Sequence, residues 1–189
     1  MPLSAIDLCS QALVKIGGNP IQSFDEGTAE ATIAAQLYPT LRDALISAHR
    51  WNFALGQARL ARLAAVPVAD YAYAYQLPPD MLSIVSAGAN ERGRGLTYRL
   101  AEQRLHTDST EVYLTYTFLP APALFPPFFS LALVARLAAE FAIPLTESTT
   151  RWDGLRQVAE FEFRRARLID SQQDTPETVE DFVLVAVRS

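Results

Sequence analysis

Phe128-Phe129-Ser130-Leu131-Ala132-Leu133-Val134-Ala135-Arg136-Leu137-Ala138-Ala139-Glu140-Phe141-Ala142 is the stretch on which the fold turns. Only Ser130, Arg136 and Glu140 are polar in it, so a helix over residues 128–142 must be covered on nearly every side. The run is also the best candidate in the chain for crossing a membrane. Arg136 and Glu140 argue against that, because a charged side chain costs about 2.5 to 3.5 kcal/mol at a bilayer centre, and Pro144 breaks the end of the run. We read it as the buried axis of a helical bundle.

The flanks extend that bundle. Pro120, Pro122, Pro126 and Pro127 form a loop that delivers the first turn of the axis, where proline is tolerated. A last long helix, near residues 147–170, carries Trp152, Leu155, Ala159, Phe163 and Ala166 on one apolar stripe and Val158, Phe161 and Leu168 on another. Two stripes require neighbours on two sides, which can include another subunit. Glu160 and Arg164 stand in the favourable i,i+4 order, an ion pair adding only about 0.2 to 0.5 kcal/mol. At the other end of the chain, Ser4-Ala5-Ile6-Asp7 resembles a capping box with Asp in place of Glu, and Ile6, Leu13 and Ile16 follow at helical spacing until Gly17-Gly18-Asn19-Pro20. Residues 21–24 read as a connecting turn. Asp25 or Thr28 then caps a second helix reaching about Ala48, with Ala31, Ala34, Ala35, Tyr38, Leu41, Leu45 and Ala48 inward; Pro39 predicts a kink or two abutting helices.

Between these helical ends the periodicity changes to two. Tyr71-Ala72-Tyr73-Ala74-Tyr75 alternates, and Val112, Leu114, Tyr116 and Phe118 alternate with Tyr113, Thr115 and Thr117 to give the clearest half-buried strand. Residues 58–63 are ambiguous. Short strands are expected over residues 84–87 and 97–100, with Glu91-Arg92-Gly93-Arg94-Gly95 as the turn between them. The expected fold class is α+β, mainly α: a helical bundle (residues 1–50 and 126–170), a β-rich insertion in the middle of the chain (about 57–118) and an extended C-terminal arm (171–189).

Composition removes several functions. The 189 residues are 50% hydrophobic with a formal charge of −5, and a chain of this length hides about 70% of its unfolded surface without a disulfide or metal staple. Cys9 is the one cysteine, so no intramolecular disulfide forms, and His49 and His106 are too few imidazoles for the usual structural zinc sets. A pI near 5.0 opposes the basic surface of sequence-independent nucleic-acid binding. The segment Met1-Pro2-Leu3-Ser4-Ala5-Ile6-Asp7 lacks the positive start and apolar core of a secretory signal.

The last 19 residues differ from the rest. Residues 171–181 are polar and include Asp174, Glu177, Glu180 and Asp181, whereas Phe182-Val183-Leu184-Val185-Ala186-Val187 is wholly apolar and half β-branched. An extended tether of that length reaches roughly 36 Å. The apolar run either adds a strand to the protein's own sheet or pairs with another chain by strand addition, and in both cases it must be paired in the working state. We read Phe182, Val183, Leu184, Val185 and Val187 as partner-binding.

Catalytic signatures are missing. No G-x-S-x-G elbow, P-loop, dinucleotide glycine fingerprint or H-E-x-x-H occurs. Cys9 reads as a buried apolar thiol, and His49 and His106 as residues at element ends. Asp80, Glu102, Asp108 and Glu111 could supply two carboxylates for glycoside hydrolysis if folding brought them together. Arg92 and Arg94 suit a hairpin tip better than an RGG segment. Arg164, Arg165 and Arg167, interleaved with acids, suit a solvated or intersubunit face. Tyr71, Tyr73 and Tyr75 are expected to pack against the helices rather than stack bases. No catalytic, cofactor or metal residue is assigned.

The pattern as a whole resembles a known family. Ala12-Leu13-Val14-Lys15-Ile16-Gly17-Gly18-Asn19-Pro20-Ile21, Tyr38-Pro39-Thr40-Leu41-Arg42-Asp43-Ala44-Leu45, His49-Arg50-Trp51-Asn52-Phe53-Ala54 and Tyr71-Ala72-Tyr73-Ala74-Tyr75-Gln76-Leu77-Pro78-Pro79-Asp80 are similar in order and spacing to the phage head-tail adaptor (connector) family, which includes podovirus tail tubular protein A. Phe128-Phe129-Ser130-Leu131-Ala132-Leu133, Leu137-Ala138-Ala139 and Ile143-Pro144-Leu145-Thr146 resemble its second half. The likeness covers roughly residues 5–170. Arg50 departs from it, standing where adaptors commonly have proline before tryptophan.

The resemblance implies a non-enzymatic virion protein at the head-tail junction, made in the cytoplasm of a bacterial host. It implies a homo-oligomeric ring, usually dodecameric, between the portal protein and a downstream tail protein. Double-stranded DNA would pass through the lumen without being held, which an acidic chain suits. It also implies an extension that embraces the portal or a neighbouring subunit. In such a ring the helices would form the repeating wedge, and the β-rich segment would project toward the next tail component. The rival expectations are a virion-associated glycan hydrolase using a carboxylate pair and a stand-alone DNA-binding module.

Overall fold

The computed structural model describes residues 2–173. Helix α1 (Ala5–Lys15) opens at Ser4, whose hydroxyl oxygen accepts the Asp7 N–H at 3.1 Å while the Asp7 carboxylate accepts the Ser4 N–H at 2.8 Å. Asp serves this capping box as Glu would, because its shorter side chain still spans one turn. At the far end of α1, Gly17 takes a left-handed φ of 80°. The Arg151 guanidinium also donates to the Ile16 carbonyl at 2.8 Å, tying the last helix to the end of the first.

Helix α2 (Ala29–Ser47) starts from Thr28, the second of the two expected caps, whose Oγ1 accepts the Ala31 N–H. It runs through Pro39 as one helix, where the sequence predicts a kink or a break. The bond that Pro39 cannot make would have gone to the Ala35 carbonyl, and both residues are exposed, so water replaces the missing donor. This orientation also corrects the inner face. Ala31, Ala34, Tyr38, Leu45 and Ile46 are buried, whereas Ala35 and Ala48 are not.

Helix α3 (Pro127–Thr146) is the axis that its composition requires. Phe129, Leu133, Leu137 and Phe141 are fully buried, and α3 packs against α1, α2 and helix α4 (Thr149–Ser171). Among the described residues it is the one helix long and apolar enough to cross a membrane, with 61% of that window buried inside the chain. Its two charges are matched locally: Arg136 lies 3.0 Å from Glu140 and 3.7 Å from Glu160 of α4. The expected Glu160–Arg164 pair is therefore replaced. Glu160 turns toward α3, and Arg164 Nε donates to the Glu160 carbonyl at 3.3 Å. Pro144 does not end α3, which stops at Glu147 in a left-handed φ of 51°. Ser148 then caps α4, accepting the Arg151 N–H at 3.3 Å.

The middle of the chain folds as two antiparallel sheets built from β1 (Leu55–Arg59), β2 (Tyr73–Gln76), β3 (Met81–Gly88), β4 (Arg99–Ala101), β5 (Arg104–Thr107) and β6 (Tyr113–Phe118). The strand orders are β1-β6-β3 and β2-β5-β4. The clearest predicted strand, β6, is central in its sheet, with Leu55 opposite Thr117 and Ser86 opposite Thr115. Register shifts between Met81 and Ser83 and between Ile84 and Ser86 let β3 run to twice its expected length. The β5 strand was not expected. It is reached through a two-residue turn in which Glu102 and Gln103 adopt φ of 52° and 58°, a conformation usually signalled by Asn-Gly.

The two sheets share a core of their own, formed by Leu60, Tyr75, Leu77, Ala87, Leu105, Val112 and Leu114. This corrects the expectation for the tyrosine row. Tyr75 is buried between the sheets and donates to the Ser109 carbonyl at 2.7 Å, and the Arg62 guanidinium lies over the Tyr73 ring; they do not pack against the helices. Trp51 closes the bundle where the chain leaves it. Its indole N–H donates to the Leu45 carbonyl at 3.0 Å, and its ring lies 5.1 to 5.9 Å from those of Phe53, Phe129 and Phe163.

Candidate functional site

Helix α4 has two apolar sides, and among the described residues only one is packed against the rest of the chain. Ala159 and Ala166 are buried, and Trp152, Leu155 and Phe163 pack against the bundle core. On the other side Val158, Phe161 and Leu168 are 46%, 56% and 61% exposed. Residues at these spacings share one helical face, and Arg165 completes the row between Phe161 and Leu168. Single exposed apolar residues are ordinary, but three in line on one helix form a patch with a direction.

Arginines border the row. Arg165 stands 3.9 Å from Glu162 and is 58% exposed. Arg167 lies over the Phe163 ring at 5.8 Å. Arg164 borders the row on its other flank, whereas Arg167, over the ring of a residue packed on the bundle, lies toward the core side of the helix. The combination offers an apolar line and a positively charged end, a surface suited to docking a partner of matching pattern.

The root of the C-terminal segment is anchored on the opposite, bundle-facing side of α4. Asp170 is 1% exposed, and its carboxylate accepts the Asn52 N–H at 3.2 and 3.1 Å, while the Asn52 side-chain amide donates to the Asp170 carbonyl at 2.8 Å. His49 Nε2 is 3.7 Å from the same carboxylate, beyond hydrogen-bond distance. Burial pushes the His49 pKa down, and the nearby Arg167 charge adds to this; Asp170 opposes both. The end of α4 is thus fixed to the point where the chain passes from α2 toward β1.

The other candidate residues are placed separately. Cys9 is fully buried in the bundle core, and burial pushes its thiol up to about 12, which disfavours the nucleophilic thiolate. His49 lies at the end of α2, and His106 in the sheet opposite Ala74 and Arg99. Among the described residues no group of three or more His, Cys, Asp or Glu side chains could hold a metal ion. The four carboxylates have different partners: Glu111 pairs with Arg59, Glu102 lies 3.8 Å from Arg104, Asp108 accepts the Ala72 N–H, and Asp80 offers its backbone carbonyl to Leu119. Arg92 and Arg94 lie in the turn after β3, whose backbone at Gly93 and Arg94 comes so close to Gly88 that a Cβ there would meet the Arg94 nitrogen at 2.3 Å.

A cavity of about 250 Å³ opens between α2, α3 and α4, lined by Leu41, Ala44, Leu45, Ala48, Arg136 and Phe163 among others. It is small for a ligand pocket. Phe182, Val183, Leu184, Val185 and Val187, the residues expected to bind a partner, lie outside the described residues.

No family model and no curated protein matches the chain. Functional assignment therefore rests on the chain's own geometry. The Asp170–Asn52 clasp escaped the sequence reading, because its partners are 118 residues apart and neither sits in a local motif. The exposed row on α4 did have a local signal, its helical spacing.

Proposed function

We propose that this protein is a structural head-to-tail adaptor of a tailed phage or phage-like particle, forming a homo-oligomeric ring that joins the portal to the tail around a DNA channel. The observation that carries the proposal is the row of Val158, Phe161 and Leu168, exposed on a helix whose opposite side is already packed on the bundle. A ring needs each subunit to offer different surfaces to its two neighbours, and an outward apolar row supplies one of them. The β-rich module, with its own core, can extend from the bundle toward a tail component. The resemblance to adaptors over roughly residues 5–170 supports the same reading.

In this role the protein catalyses nothing and acts by occupying one position in an assembly sequence. Residues 182–187 pair with a strand or groove on the portal or a neighbouring subunit, and DNA crosses a lumen that does not hold it. The test is to mix purified protein with tail-less capsids that carry portals and image the particles. Rings seated at the portal vertex are expected from the full chain, and none from a chain ending at Gln173. Failure of the full chain to seat, or its turnover of cell-wall glycan, sinks the proposal.

A further inference from the structure

The outward row on α4 serves an assembled ring, but in a free subunit it invites indiscriminate association. We propose that residues 182–187 of the same chain fold back along α4 and cover Val158, Phe161 and Leu168 until a partner draws them away.

Length and charge both fit this occupant. Helix α4 ends at Ser171, so the C-terminal segment starts beside Leu168. From Leu168 back to Val158 the helix rises about 15 Å, and six extended residues span about 17 Å. The intervening residues 174–181 need only reverse direction, and their reach of about 26 Å is ample. Asp174, Glu177, Glu180 and Asp181 precede the apolar run, and Arg164 and Arg165 border the row toward the same end of the helix. An antiparallel return brings Phe182 toward Leu168, with the acids beside the arginines and Val185 or Leu184 near Phe161. A parallel course would carry the apolar residues past the end of α4 and leave the arginines unmatched.

The covering does not depend on the adaptor reading. If that reading holds, one event has two effects: when the portal binds the C-terminal segment, the row is uncovered, so subunits join laterally only where a portal is present.

The test uses the full chain with two introduced cysteines, Phe161→Cys with Val185→Cys and, separately, Phe161→Cys with Leu184→Cys. Cys9 is buried and its thiol pushed up to about 12, so it does not compete. Under mild oxidation of dilute monomer, at least one pair should close an intramolecular disulfide about tenfold faster than a control pair, Val14→Cys with Leu184→Cys, because docking raises the effective concentration. The combined substitutions Arg164→Glu and Arg165→Glu should slow that closure several-fold. Closure at the control rate overturns the proposal, and so do disulfide-linked dimers in place of closed monomers, which would mean that a second copy's segment covers the row. Attachment to capsids is read separately, so either proposal can fail alone.

Discussion

Asp170 and Asn52, 118 residues apart in the chain, hold each other by both backbone and side chain: one carboxylate accepts the Asn52 N–H, and the Asn52 amide returns a bond to the Asp170 carbonyl. The pair joins the last turn of α4 to the segment that leads into the sheets. Asp170 is buried, so its carboxylate has no water as a ready substitute.

Replacing this carboxylate is expected to be costly. Asp170→Ala should destabilise the protein by about 2 to 3 kcal/mol, since it leaves the part-buried Asn52 N–H without its charged acceptor. Asp170→Asn keeps an acceptor oxygen and should lose less. Urea unfolding monitored by circular dichroism gives both values, and equal midpoints for wild type and Asp170→Ala would refute the role assigned to the clasp.

His49 should impart a pH dependence. Its folded-state pKa lies below the ordinary 6.5 because burial and Arg167 disfavour the charged ring. The unfolded chain therefore binds the proton first as pH falls. The contribution of neutral His49 is present above 6.5 and is lost as pH drops through the folded-state value. His49→Gln should flatten the decline in urea midpoint between about pH 7.5 and pH 5. A decline of unchanged steepness in the variant would assign it to other groups.

Two glycines should respond differently to alanine. At Gly88 a Cβ would lie 2.3 Å from the Arg94 nitrogen and 2.7 Å from the Gly93 Cα, so backbone must move, at a cost of about 1 to 3 kcal/mol. At Gly17 a Cβ meets nothing within 4 Å, and only the φ of 80° is unfavourable, costing about 1 to 2 kcal/mol. Amide exchange distinguishes the two: Gly88→Ala should speed exchange in the sheets, and Gly17→Ala at the end of α1.

The outward row should be dispensable for folding. Val158→Asp, Phe161→Asp and Leu168→Asp together should change the unfolding free energy by no more than about 0.5 kcal/mol per site while abolishing rings at the portal. Ala159→Asp, one residue away on the buried side, should unfold the bundle. Particle imaging and thermal melts of wild type and the two variants separate these effects, and normal rings from the triple variant would count against the role given to this face.

The helices were legible because their determinants are local. Ser4 and Asp7 are one turn apart, Thr28 stands at the head of α2, and residues 128–142 declare their burial by composition alone. Pro39 does not divide α2 into two helices, because its effect depends on which side of α2 faces water, a property of the packed bundle. The β5 strand escaped because Glu102 and Gln103 make a turn that usually belongs to Asn-Gly, and β3 was underestimated because its register shifts break the alternation on which a reading relies. The spacing of Val158, Phe161 and Leu168 revealed the second face of α4. That this face would be open while Asp170 pinned the helix end followed only from contacts between distant parts of the chain.

The chain enters the sheets by β1 and leaves them by β6, and these two strands are paired, Leu55 with Thr117 and Arg59 with Tyr113. Departure and return therefore lie about 4.8 Å apart. From the side of the helices the whole excursion amounts to one closed loop, whatever its length. Selection can lengthen the far turns, add a strand or replace the excursion entirely without altering the distance that α2 and α3 must bridge, so the region can diversify while the helical frame keeps its shape.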